Sequence, residues 1–204
     1  MAENLSTLDL IHKAAKEEFL QKGFLKASLR NIVKNAGVTT GAFYGYYASK
    51  EELFKSLVYT TYNTVLDFYK NALFEFENLP LEKQPQRMGK SGRECMEKML
   101  YYFYGHKDEM HLILQCSKGT PYSGLAEEMI ELEVKATRKY YTVLKKLGKD
   151  VPVIDKRLEH ILVTGMMNAF FEMILHEMPL KKAVEYLHEL NDFYVAGWLK
   201  IMGQ

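Results

Sequence analysis

Apolar positions along this chain recur at steps of three and four and show no sustained alternation, so the pattern predicts helices and no sheet. Ser6 or Thr7 caps a first helix with a stripe of Leu8, Ile11, Ala15 and Phe19, stopped at Gly23. Leu29, Ile32, Val33 and Ala36 form a second stripe, and Gly37 follows where a left-handed residue ends a helix. Thr39 or Thr40 caps a brief third helix whose inner face holds Phe43 and Tyr47. Ser49 and Glu52 make a capping box for a long helix to Glu77, with Leu53, Leu57, Val58, Val65 and Phe68 on or near one face. Asn78 to Gln86, with Pro80 and Pro85, reads as a loop. Five helices follow, over about Arg87–Tyr104, Asp108–Cys116, Pro121–Leu147, Ile154–Glu177 and Leu180–Ile201. The expected fold is all-α with nine helices, three before the long one and five after it. No internal repeat or low-complexity tract interrupts it.

The stretch Ser28 to Leu53 carries the most information. A short helix, a glycine-containing turn plugged by Val38 and a second short helix is the arrangement that sets a recognition helix into the DNA major groove. The residues resemble the DNA-binding signature of the TetR family of transcriptional regulators. The resemblance rests on Ala36-Gly37-Val38, Gly41, Phe43-Tyr44, Tyr46-Tyr47 and Ser49-Lys50-Glu51-Glu52-Leu53, and upstream on Gly23-Phe24 and Ala27-Ser28. It covers about the first quarter of the chain. Val33, Gly45 and Tyr46 depart from residues usual in the family; none disturbs the packing, but Gly45 and Tyr46 alter the surface offered to DNA. The resemblance implies a helix-turn-helix DNA-binding domain over residues 1–48 and an effector-binding and dimerisation domain over 49–204.

With Phe43 and Tyr47 turned inward, Thr40, Gly41, Ala42, Tyr44 and Gly45 lie on the opposite side of the third helix, beside its cap Thr39. Short side chains let the backbone approach base edges, and Thr40 and Ala42 suit edges or thymine methyls. Tyr44 and Tyr46 offer phenols to phosphate oxygens, and Lys50 adds charge. Ser28 opens a helix whose free N–H groups attract anions, and Arg30 matches a guanine edge bidentately. In the resembled family Ser28, Arg30, Thr40, Tyr44, Tyr46 and Lys50 occupy positions that commonly contact DNA. The bland reading makes them ordinary solvent-facing polar residues.

Composition narrows the picture little. The chain has 27 basic and 26 acidic residues, and the first 55 residues hold eight basic and six acidic ones, so any basic patch must come from placement. Two cysteines, Cys95 and Cys116, make no disulfide framework and show no metal-ligand spacing. No signal peptide opens the chain and no apolar run approaches about 18 residues, so a soluble cytoplasmic protein without membrane contact is expected.

The remainder is rich in aromatic residues and methionine, which fits permissive apolar binding surfaces or plain core packing. The resemblance implies a cavity for a small, mostly apolar effector. Phe68, Tyr102, Phe103, Met166 and Phe170 are the apolar candidates, and Gln115 and Asn168 the polar ones, being able to donate and accept when buried. Leu187, Leu190, Tyr194 and Trp198 continue an apolar stripe near the end of the chain, and Gly165 and Ala169 permit close helix approach. These six are the expected interface of a homodimer, the form that reads a near-palindromic operator of two half-sites.

Catalysis finds little support. The six histidines form no metal-binding pair, phosphate loops are absent, and Glu127-Glu128 lies on a charged helix surface. No cofactor, metal or enzymatic activity is expected. The reading is a ligand-responsive DNA-binding repressor. The rival is a helical enzyme or small-molecule carrier without DNA binding, which leaves the N-terminal signature unexplained.

Overall fold

The computed structural model of the protein describes residues 5–176 and 178–204. Nine α-helices and no strand occur among them: α1 (Thr7–Lys26), α2 (Leu29–Asn35), α3 (Thr40–Tyr44), α4 (Lys50–Glu77), α5 (Gln84–Gly105), α6 (Lys107–His111), α7 (Leu125–Lys146), α8 (Lys156–Leu175) and α9 (Leu180–Ile201). Residues 1–4, in the expected first domain, and Glu177, the expected end of the eighth helix, lie outside the described residues. Packing divides the chain into two units. The first holds residues up to Thr64 with His106–Leu125, and the second holds Val65–Gly105 with Ala126–Gln204. This grouping differs from a boundary at 48/49: the start of α4 and the α6 segment pack with the helix-turn-helix.

In the first unit, Ser6 caps α1 and exchanges hydrogen bonds with Asp9 in a capping box. Gly23, at φ 70°, bends the helix before its last turn, and Gly37, at φ 68°, ends the helical run of α2 as the pattern predicts. Ile11, Phe19, Ile32, Phe43, Leu53 and Phe54 are fully enclosed. Phe54 meets Phe19 edge-on at 5.0 Å and Phe24 at 5.2 Å, so one ring of α4 locks both parts of α1. α6 runs on into a π-helical turn, Leu112–Cys116, packed on α1. Lys16 on α1 holds Glu109 on α6 at 2.5 Å.

Helix boundaries shift where local chemistry outweighs the breakers. Pro85 stands in the first turn of α5, which starts at Gln84. Pro121 does not open α7: Thr120 bonds Ser117 and Tyr122 around Gly119, at φ 90°, and the helix waits until Leu125.

The second unit packs the end of α4 with α5, α7, α8 and α9. Met99, Leu100, Phe103, Val163, Met167 and Phe171 form its centre. α8 is long and apolar enough to cross a membrane by length and composition, which a search for uninterrupted apolar runs misses because Lys156, Arg157 and Glu159 open it. Val163, Met167, Phe170 and Phe171 bury one face of it within the unit.

Candidate functional site

The helix-turn-helix is held from behind by two charged side chains. Glu18 on α1 is buried and accepts from Lys22 (2.8 and 3.0 Å), from the Ser28 backbone N–H (3.0 Å) and from the Asn31 amide (3.3 Å). Lys22, aided by the Ser28 and Asn31 bonds, keeps its carboxyl below the usual carboxylate range despite burial. The carboxylate thus fixes the start of α2. Lys50, the first residue of α4, donates to the carbonyls of Phe24 (2.7 Å) and Ala27 (3.0 Å) and lies 4.5 Å from the centre of the Phe24 ring. It ties α4 to the bend before α2. Tyr47 bonds His12 on α1 at 2.5 Å, closing the other side. Neither Glu18 nor His12 was marked by the sequence pattern.

The face presented outward follows. Ser28 is half-buried, and its side chain caps α2 by accepting from the Asn31 N–H at 3.4 Å. Arg30 is exposed beside it. Thr39 caps α3 through the Ala42 N–H at 3.1 Å. Thr40, Gly41 and Gly45 are exposed and Ala42 half-buried, while Phe43 is enclosed beneath them. Tyr44 and Tyr46 are 55% and 49% exposed, high values for phenols without a structural reason to face water. A Cβ on Gly45 would lie 3.2 Å from the Ala42 carbonyl, so the absent side chain keeps this turn tight. Lys50 differs from the expectation of a free surface charge, because two of its three N–H groups already serve carbonyls.

The second unit holds a cavity of about 170 Å³ that opens in part to solvent. Its walls come from α4, α5, α7, α8 and α9, and Met166 and Phe170 are among them. The other expected ligand contacts lie elsewhere. Phe103 is enclosed against Phe170 and Phe171, and Phe68 and Tyr102 meet edge-on at 5.5 Å with Lys98 over the Phe68 ring. Asn168 is exposed on α8, and Gln115 is exposed in the first unit, 3.3 Å from His111. Periodicity marks an apolar face without saying whether it fills a core or borders a space.

The same ambiguity governs α9. Leu187 is buried inside the chain, and Leu190, Tyr194 and Trp198 are half-buried and line the cavity. Gly165 is exposed, with the Tyr194 hydroxyl 3.5 Å from where its Cβ would be, and Ala169 is half-buried. The exposed apolar side chains of these two helices are others: Ile161 at 62% and Phe193 at 71%, with Leu158 and Tyr186.

Sequence reading missed the polar centre of the cavity. Tyr69 on α4 donates to Glu133 on α7 at 2.5 Å. Among the described residues this is the hydrogen bond Glu133 makes, and no other wall residue is charged. Burial pushes the Glu133 carboxyl up, partly offset by the Tyr69 bond. Burial and the nearby Glu133 push the Cys95 thiol up to about 12, so it stays protonated. The signal was present: Glu133 falls on the apolar stripe of Met129, Ile130, Ala136, Tyr140 and Leu144, where a carboxylate is out of place.

Comparison with known proteins adds the following. Residues 11–57 match the sequence model for bacterial regulatory proteins of the tetR family. The uncharacterized HTH-type transcriptional regulators YdgC and YvdT of Bacillus subtilis (strain 168) are each 40% identical over 63 residues, 31% of this chain and 32% of theirs. The chain thus aligns with about a third of the length of these curated relatives. A transcriptional regulator (TerR/AcrR family) from Aquifex aeolicus VF5 is 23% identical with a TM-score of 0.56, covering 90% of this chain and 96% of its own. The TetR family regulator PfmR from Thermus thermophilus is 21% identical with a TM-score of 0.56, covering 93% and 96%. FadR from Bacillus subtilis, solved with stearoyl-CoA, is 15% identical with a TM-score of 0.56, covering 92% and 97%. At these identities the likeness concerns the fold.

Proposed function

We propose that this chain, which belongs to the TetR family by its helix-turn-helix segment at residues 11–57 and by its fold, is a ligand-responsive transcriptional repressor. The observation that carries the reading is the outer face of α3: Thr40, Gly41, Tyr44 and Gly45 exposed over an enclosed Phe43, on a scaffold locked by Glu18 and Lys50. A rigid short helix with small residues outward and phenols at its edge suits base edges in a major groove flanked by phosphates. Arg30, exposed beside the start of α2, adds a group suited to a guanine edge.

The protein acts as a homodimer on a near-palindromic operator in the cytoplasm. Exposed Ile161 and Phe193 on α8 and α9 support self-association through these helices, since large apolar side chains so open to water mark contact surfaces. The effector is a small, mostly apolar molecule held in the cavity of the second unit. That FadR was solved with stearoyl-CoA supports a ligand in this fold, not the same ligand. α4 is the lever: one continuous helix carries Lys50 at its start and the wall residues Tyr69, Ala72, Leu73 and Phe76 near its end. The effector releases DNA only by binding the incompetent state better; a hundredfold loss of affinity needs about 2.7 kcal/mol of difference.

Selection of bound fragments from genomic DNA tests this reading. Recovery of one sequence class, bound in a salt-dependent manner and read as two half-sites, is expected. Indiscriminate binding would overturn it.

A further inference from the structure

We infer that the cavity selects a small lipophilic cation, with Glu133 as counter-ion inside an aromatic wall; this rests on the cavity being the effector site. Three observations carry it. Glu133 is the one charged side chain among the described wall residues, so an anionic head would meet a carboxylate and no partner of opposite sign. Its carboxylate receives a hydrogen bond from Tyr69 alone among the described residues, leaving oxygen lone pairs open to the space. The rest of the wall is rich in π-faces: Phe76, Tyr140, Phe170, Tyr194 and Trp198. Aromatic faces attract cations and are used to hold quaternary ammonium groups.

The carboxylate's position explains its cost. Burial disfavours the charged form, and Tyr69 offsets only part of it. A buried charge of this kind is tolerated when something pairs with it. A cation entering the cavity restores that pairing, and so draws its affinity from the ionised carboxylate. The cavity's volume of about 170 Å³ is somewhat larger than one that takes benzene, so one ring with a compact head suits it.

Trp198 is the only tryptophan of the chain and stands on the cavity wall, so its emission reports occupancy. The test compares phenyltrimethylammonium, its neutral carbon isostere tert-butylbenzene, and benzoate, by fluorescence titration of the full-length protein. The account expects the cation to bind at least tenfold tighter than tert-butylbenzene, and benzoate weakest. In Glu133→Gln the cation's advantage should vanish while tert-butylbenzene still binds. The wild type gives a second readout if that variant folds poorly. Lowering the pH through the raised range of Glu133 should weaken the permanently charged cation and leave tert-butylbenzene unaffected. Tyr69, Cys95, Tyr140 and Tyr194, the other titratable groups at the wall, are shifted upward and stay protonated throughout. Equal affinity for the cation and its isostere, or tighter binding of benzoate, would overturn the cation assignment alone. If none of the three changes Trp198 emission while the protein still binds DNA, the effector-site reading falls with it.

Discussion

Lys50 serves two ends that its position in a DNA-binding signature does not separate. Its ammonium ties the Phe24 and Ala27 carbonyls to the start of α4, and the third N–H, which those two bonds do not use, is the one the proposed function assigns to a phosphate. Lys50→Ala should therefore lower stability by about 1–3 kcal/mol, as lost charged hydrogen bonds do. It should also weaken DNA binding nearly alike across sequences, with a shallower salt slope. Arg30→Ala, at an exposed position, should leave stability unchanged and alter preference at particular base pairs by about 1–3 kcal/mol. Urea unfolding and DNA titrations at several salt concentrations read both; identical behaviour of the two variants would refute the division. Glu18→Gln should destabilise the first unit by about 1–3 kcal/mol, because the Lys22 ammonium and the Ser28 N–H lose a charged acceptor. At this scale the sequence showed which residues sit at the outer face of α3, because one enclosed residue, Phe43, fixes the rest of a short helix. It did not show Glu18, whose partners lie up to 13 residues away and are made only by the fold.

Among the elements, α1 is coupled through the His12–Tyr47 bond to the turn that follows α3, where Tyr47 stands beyond the end of the helix expected to carry it, and this coupling depends on pH. Burial lowers the His12 imidazole below its ordinary 6.5, with Asp9 opposing and Lys16 reinforcing. The folded state thus prefers neutral His12, and the unfolded chain binds the proton more readily. Its contribution to stability is present above pH 6.5 and is lost as the pH falls through the lowered folded value. Denaturation midpoints at pH 7.5 and 5.5 should therefore differ more for wild type than for His12→Asn; an equal difference in both proteins would contradict the coupling. Gly119, at φ 90°, offers a second check, since its missing Cβ would lie 2.5 Å from a Leu25 methyl. Gly119→Ala should loosen the α1 contact with the turn before α7, seen as faster amide exchange there. The helices themselves were legible, because stripes and caps are local. Their ends moved where a side chain bonded nearby backbone, as Thr120 does, and where Pro85 fitted a first turn.

For the whole molecule, the apolar stripes predicted helix faces but not their partners. Leu187 is buried and Leu190, Tyr194 and Trp198 border the cavity half-buried, whereas Ile161 and Phe193 stand open to water, a distinction set by tertiary packing. The account expects Phe193→Asp with Ile161→Asp to sediment as a folded monomer at micromolar concentration, whereas Leu187→Asp should unfold by burying a charge. A dimeric double variant would move the interface elsewhere. The proposed division of labour, with DNA read by the first unit and the effector held in the second, rests on the α3 surface and on α4 running from one to the other. The most direct measurement takes the fragment recovered by genomic selection and titrates it against a scrambled duplex of equal length at fixed salt. The account predicts binding at least a thousandfold tighter to the selected fragment, half-site centres about 34–36 Å apart or a multiple of it, and loss of the preference in Thr40→Ala with Arg30→Ala. Equal affinity for the two duplexes, or a preference that survives both substitutions, would contradict it.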